Sequence, residues 1–155
     1  MIRRAVGAIV TYNDKFLIVH KVKINTDVGK EDIQGEWDFI KGGVKKDEAD
    51  LKQTVLRELK EETGSTNYKF IKQFHEKIHF NFPLHLQQKI GYQGQETTMF
   101  HLEYLGDLTD LKPIDNEINN IQFIKKENVL NVLTHNETKD FFMKFWDEGS
   151  GPLSQ

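Results

Sequence analysis

The stretch from Glu48 to Thr63 settles more about this chain than any other, because three of its glutamates crowd one side of what must be a helix. Between Gly43 and Ser65 the order is G-V-K-K-D-E-A-D-L-K-Q-T-V-L-R-E-L-K-E-E-T-G-S, a glycine-led loop running into a segment of helical period. Glu58, Glu61 and Glu62 stand at i, i+3 and i+4, where like charges repel unless a cation lies between them. At about 100° per residue, with Leu51 as zero, Val55 falls at about 40°, Leu59 at about 80° and Leu56 at about 140°. On the same scale Glu62 falls at about 20°, inside that apolar arc, Glu58 at about 340° and Glu61 at about 280°. A solvated acidic face would lie opposite the arc, whereas a carboxylate inside it is costly unless paired or bound to metal. The pattern therefore predicts a site for a hard divalent cation, walled by protein on one side.

The ends of the helix follow from capping chemistry. Asp47 is the expected N-cap with Asp50 at N3, and Gly64 the expected glycine after the last turn, so the helix is predicted over about Glu48 to Thr63. Upstream, Trp37 to Gly43 alternates briefly before its double glycine, as a strand does on entering a tight loop.

The segment from Gly43 to Ser65 resembles the Nudix box, G-x5-E-x7-R-E-U-x-E-E-x-G-U with U apolar. Gly43, Arg57, Glu58, Leu59, Glu61, Glu62 and Gly64 match it in identity and spacing. Ala49 stands where the family has Glu, and Ser65 where it has an apolar residue. Glu48 is adjacent, but on a helix it would be turned about 100° away. The resemblance implies a mixed sheet between helices, an α/β (α+β) sandwich, and hydrolysis of a phosphoanhydride bond. It also implies Mg2+ or Mn2+ held by Glu58, Glu61 and Glu62 with the Gly43 carbonyl. In the family Arg57 orients a box glutamate. Tyr92 to Phe100 and Glu117 to Ile124 are similar to segments of bacterial RNA 5′-pyrophosphohydrolases and dinucleoside polyphosphate hydrolases, which makes Glu117 a further carboxylate for the metal cluster. Glu61 and Glu117 are both candidates for the group that takes the proton from water. Lys41 and Lys45 are candidate phosphate ligands, and Trp37, Phe80 and Phe82 candidate base-stacking aromatics, each with a core role as its alternative.

Composition narrows the classes. At 155 residues the chain reads as one domain over residues 1–148 with a frayed tail at 149–155. Without cysteine it forms neither disulfide nor thiolate site, and a formal net charge of −3 is unlike a protein that coats nucleic acid through its global field. No apolar run reaches membrane-spanning length, and the short run after Arg4 is broken by Asn13-Asp14, so a cytoplasmic protein is expected. A nucleotide is the expected ligand, with an RNA 5′ end as one form of it.

Elsewhere, Ala5 to Tyr12 and Phe16 to His20 read as a hairpin turned at Asn13-Asp14. Val22 to Glu36 reads as a polar loop that folds over a substrate or is a plain surface insertion. Tyr68 to Phe82 and Thr97 to Leu105 read as strands, with Thr98, Phe100, Leu102 and Tyr104 on one face, and Ile121 to Ile124 as a short strand. Asn136 is the expected cap of a last helix whose Phe141, Phe142, Phe145 and Trp146 pack on the sheet. His75 and His79 sit in a strand-like stretch without further ligands for zinc, His20, His85, His101 and His135 show no partners, and no P-loop or G-x-S-x-G elbow is present. Two other readings share these residues: a pyrophosphatase that removes damaged nucleoside triphosphates, and a nucleotide-binding sensor of the same fold without turnover.

Overall fold

The computed structural model describes residues 1–26 and 28–147. Its element order is β1 (Ile2–Tyr12), β2 (Lys15–Thr26), β3 (Gly29–Asp38), β4 (Ile40–Gly43), α1 (Leu51–Thr63), β5 (Tyr68–Asn81), α2 (Leu84–Ile90), β6 (Gly94–Tyr104), β7 (Ile118–Lys125), α3 (Lys126–Val132) and α4 (Asn136–Phe142). A single π turn, Met143–Asp147, continues α4. The sheet runs β3-β2-β1-β6-β5, with β4 added to β1 and β7 to β2. Pairing is antiparallel except between β1 and β6, which run parallel from Ile2↔Gly94 to Thr11↔Glu103.

Period-2 alternation divides the core between the two faces of this sheet. Val6, Ala8 and Val10 of β1, Leu17 and Val19 of β2, and Phe100, Leu102 and Tyr104 of β6 pack with Val55 and Leu59 of α1. On the other face Ile9, Phe16, Ile18 and Met99 pack with Val129, Leu133, Phe141 and Phe142. Trp146 stacks on Phe142 and meets Phe16 and Phe74 edge-on, so the last aromatic stripe covers the second face as its spacing requires. The sandwich predicted from the sequence is the one observed. The β1–β2 turn places Asn13 at φ 48° and Asp14 at φ 66°, the left-handed pair that a two-residue hairpin needs.

Several boundaries differ from the sequence reading. Val22 to Glu36 is not a loop: β2 and β3 continue as a long hairpin, paired from Val19↔Asp38 to Thr26↔Gly29. Its two faces share no continuous core, so the hydrophobic alternation that marks a strand is missing, and cross-strand pairs such as Lys23 with Asp32 take its place. Helix α1 begins at Leu51, and Asp50 rather than Asp47 caps it, accepting from the Lys52 amide. Gly64 ends it at φ 81° as expected. Strand β7 starts three residues before the predicted Ile121, and α2 and α3, seven residues each, carry too few turns to give a periodic signal. His135, not Asn136, is the residue before α4, and it makes no capping hydrogen bond through its side chain. The predicted tail at 149–155 lies outside the described residues.

Candidate active site

The carboxylates of α1 are placed by the apolar arc around them. Leu59 and Val55 are fully buried, and the same rotation carries Glu62 to 2% exposure and Glu58 to 8%. Burial pushes the Glu62 carboxyl well above the usual range, against a lowering by Lys21, and its contact with Glu58 raises it further. Burial also raises Glu58, opposed by Glu62 and by the Arg57 guanidinium. Of the two, Glu62 is the more strongly raised. Its Oε1 is buried with no hydrogen-bond partner among the described residues.

Arg57 is the hub of the loop and the helix. Its Nη1 donates to Glu58 at 2.8 Å and to Glu61 at 3.2 and 3.3 Å, and its Nη2 donates to the Gly43 carbonyl at 2.9 Å. Its Nε and Nη2 donate to the two oxygens of Glu48 at 2.7 and 2.9 Å. Glu48 precedes the helix instead of lying on it, so the expected 100° rotation away from the site does not apply. Arg57 holds its carboxyl down at about 2.

The double glycine is a steric requirement of the same arrangement. A Cβ on Gly42 would stand 1.9 Å from the Glu58 carboxyl carbon, and one on Gly43 would stand 2.4 Å from Arg3 Nη2. Ser65, where the family has an apolar residue, is buried and donates to Asp110 at 2.6 Å. Asp110 also accepts from Tyr104 and Asn67, which anchors the loop after β6.

Gly42, Gly43, Arg57, Glu58 and Glu61 line one cavity of about 750 Å3, while Glu48 and Glu62 stand behind this lining. Lys30, Lys41, Lys45, Arg57, Glu58, Glu61, Asp115 and Glu117 stand on its polar side, with Arg3 and Arg4 also in its lining. Ile24 and Ile33 of the hairpin, Phe80 and Phe82 of the β5 end, and Leu86 and Ile90 of α2 supply apolar wall. Phe80 and Phe82 meet edge to face at 5.1 Å. Trp37 is not among the lining residues; it packs against His20, ring centres 4.7 Å apart, and against the second core cluster.

Lys41 is not a solvated loop lysine. It is 7% exposed on β4, donates to Thr138 Oγ1 at 2.6 Å and pairs with Asp38 at 3.2 Å. Asp38 was legible only as a strand residue, and Thr138 arrives from 97 positions away. Glu117 enters the cavity from the turn before β7 and pairs with Lys30 of the hairpin at 3.0 Å. Its amide donates to Asp115, whose own amide donates to the Glu61 carbonyl at 3.2 Å, tying this turn to α1. Three of the histidines left without partners by the sequence have them. His135 pairs with Glu36 at 3.0 Å, His20 bonds Asn119 and His101 bonds Thr11.

Oxygen donors and a buried, unpaired Glu62 oxygen suit a hard divalent cation. The Gly43 carbonyl keeps a second lone pair beside its bond to Arg57. As placed, Arg57 draws Glu58 and Glu61 to itself, and among the described residues no three acidic or imidazole groups converge as a finished cage.

A mixed sheet between helices, with a glutamate-bearing helix behind a glycine loop, defines the class, and comparison with known proteins agrees. The NUDIX domain matches residues 1–145. The RNA pyrophosphohydrolase of a Nitratiruptor species is 30% identical over 107 residues, 68% of each chain. That of Campylobacter jejuni (strain RM1221) is 27% identical over 108 residues, 68% of this chain and 69% of its own. Among solved structures, the MutT protein from Methanosarcina mazei Go1 superposes with a TM-score of 0.70 at 23% identity, covering 95% of this chain and 94% of its own. A C. elegans Ap4A hydrolase binary complex gives 0.67 at 17% identity, covering 97% and 99%. At those identities the structures share the fold alone. The chain belongs to the Nudix family, and it is a pyrophosphohydrolase of that family. Hydrolases of the family generally use divalent metal ions.

Proposed function

We propose that this protein hydrolyses a phosphoanhydride bond of a 5′-triphosphorylated RNA end, in a reaction that depends on Mg2+ or Mn2+. The observation that carries the reading is one cavity lined both by Glu58 and Glu61, with the buried, partly unsatisfied Glu62 in contact with Glu58 behind them, and by an apolar wall that includes Phe80 and Phe82. The names of the curated relatives support the RNA end over other polyphosphates. A bound cation, held by Glu58, Glu61, Glu62 and the Gly43 carbonyl, would supply charge neutralisation and a more acidic water. The chain's own residues do the rest. Glu61 or Glu117 accepts the proton as the water oxygen bonds to phosphorus and the P–O bond to the departing phosphate breaks. Lys41, fixed by Asp38 and Thr138, and Lys45 at the rim offset the charge of the phosphate chain. A base stacks on Phe82.

Dinucleoside polyphosphates are the second reading, favoured by a cavity of about 750 Å3, within the upper part of the ~300–1,000 Å3 that ligand sites occupy. A single magnesium assay over 5′-triphosphorylated RNA, dinucleoside tetraphosphate, nucleoside triphosphates and ADP-ribose decides. Release of phosphate or pyrophosphate with the highest kcat/KM on RNA is the expected result. Preference for a free nucleoside triphosphate would replace the RNA reading with a sanitising role, and tight nucleotide binding without turnover would replace it with a sensor.

A further inference from the structure

The departure at Ala49 leaves the family pattern without a glutamate at a fixed place, yet the loop is not unbraced. Glu48 accepts three hydrogen bonds: two from the Arg57 guanidinium and one from the Lys45 amide at 2.8 Å. The Lys45 bond fixes Glu48 within the turn, where the Glu48 amide also donates back to the Lys45 carbonyl at 3.0 Å. The Arg57 bonds are charge-assisted and two-pronged, the geometry that most restricts a guanidinium. With Nε and one edge of Nη2 thus held, the remaining hydrogens point at the Gly43 carbonyl, Glu58 and Glu61. Arg57 thereby touches three of the four candidate metal ligands, and Glu48 touches none of them. Ala49, by contrast, is exposed.

We propose that Glu48 is a positioning residue that replaces, one position earlier, the absent glutamate at 49, and that it acts through Arg57 to set the Gly43 carbonyl and the Glu58 and Glu61 carboxylates for the cation. The replacement is possible because the helix starts at Leu51, so residues 48 and 49 lie in the loop ahead of it, where a change of one position is not a rotation around a helix axis. Because Glu48 is bound into the turn through backbone as well as side chain, its carboxylate arrives preorganised, and outer partners of this kind contribute about 10- to 100-fold to metal affinity or activity.

This inference deepens the metal-dependent reading but does not depend on which substrate is cleaved, so its test is made without substrate. Mn2+ affinity of the purified full chain is measured by titration for the parent, Glu48→Ala, Glu48→Gln, Ala49→Glu, Arg57→Ala and the double variant Glu48→Ala/Arg57→Ala, with folding checked by thermal melting. The expected result is a roughly tenfold or greater loss for Glu48→Ala, a smaller loss for Glu48→Gln, and no gain for Ala49→Glu. In the Arg57→Ala background, Glu48→Ala should cost nothing further, because a residue acting only through Arg57 has no route once Arg57 is gone. Should Glu48→Ala fail to fold, the comparison of Glu48→Gln in the two backgrounds carries the same test. Undiminished Mn2+ affinity in the folded Glu48 variants, additive losses in the double variant, or tighter binding by Ala49→Glu would each overturn the assignment. If the parent binds no Mn2+ at all, the metal reading itself has failed, which is a separate outcome from an insensitive Glu48.

Discussion

Glu62→Gln should stabilise the metal-free protein while removing its response to metal. Glu62 is 2% exposed, its Oε1 has no hydrogen-bond partner among the described residues, and the attraction of Lys21 does not outweigh burial. A buried polar group left unsatisfied costs about 1–3 kcal/mol, more when charged. Glutamine keeps the volume and removes the charge, and its amide can donate to Glu58. A gain of about 1–3 kcal/mol is therefore expected near pH 8, and each kcal/mol moves Tm by about 2–4 °C in a domain of this size. The pH dependence has a definite sign. Burial raises the folded-state pKa of Glu62 above its unfolded value, so ionisation opposes folding. The parent should match the variant below the ordinary carboxylate pKa of about 4, lose ground as pH rises through that value, and show its full deficit only above the raised folded pKa. Thermal melting of both proteins in chelator between pH 4 and pH 8.5, repeated with Mg2+, gives all the quantities. Metal should raise the parent's Tm and leave that of the variant nearly unchanged, since only a ligand bound by the folded state shifts the equilibrium. A variant that melts below the parent at pH 8.5 in chelator, or a gap that does not change with pH, would refute the reasoning.

Further outcomes follow from single contacts. Gly42→Ala places a methyl group where the Glu58 carboxylate lies, and because that carboxylate ends a flexible side chain it should swing aside: Mn2+ affinity falls while Tm changes little, and unchanged affinity in a titration would show that the space is not occupied as described. Lys41→Met leaves Asp38 buried without its Lys41 partner, at a cost of about 3 kcal/mol, which chemical denaturation should register and which the additional change Asp38→Asn should largely restore. Glu117→Gln should lower kcat more than it raises KM, as expected of a group acting mainly in the transition state; a steady-state experiment in which only KM moves would assign it to substrate binding instead.

What could be read along the chain and what could not divide by range of interaction. Helix α1 was legible because its information is local: period 3.6 places Val55, Leu59 and Glu62 on one arc, and Gly64 stops it in the left-handed conformation. The β1–β2 hairpin was legible for the same reason, since Asn13 and Asp14 accept positive φ and apolar runs flank them. The β2–β3 extension was not, because it is held by a backbone ladder and cross-strand charges, which leave no hydrophobic period in the sequence. The sequence alone thus determined the family, the sandwich and the three carboxylates of the helix. Only the tertiary structure decided what surrounds them. Thr138 reaches Lys41 across 97 positions, Lys30 meets Glu117 from a hairpin read as loop, and Trp37 turns away from the cavity that Phe80 and Phe82 line. The largest revision came from a shift of helix start from Glu48 to Leu51. Capping is settled by which aspartate can reach the free amides once the loop is anchored by Arg57, and that anchor joins residues 14 positions apart, beyond the range of any local period.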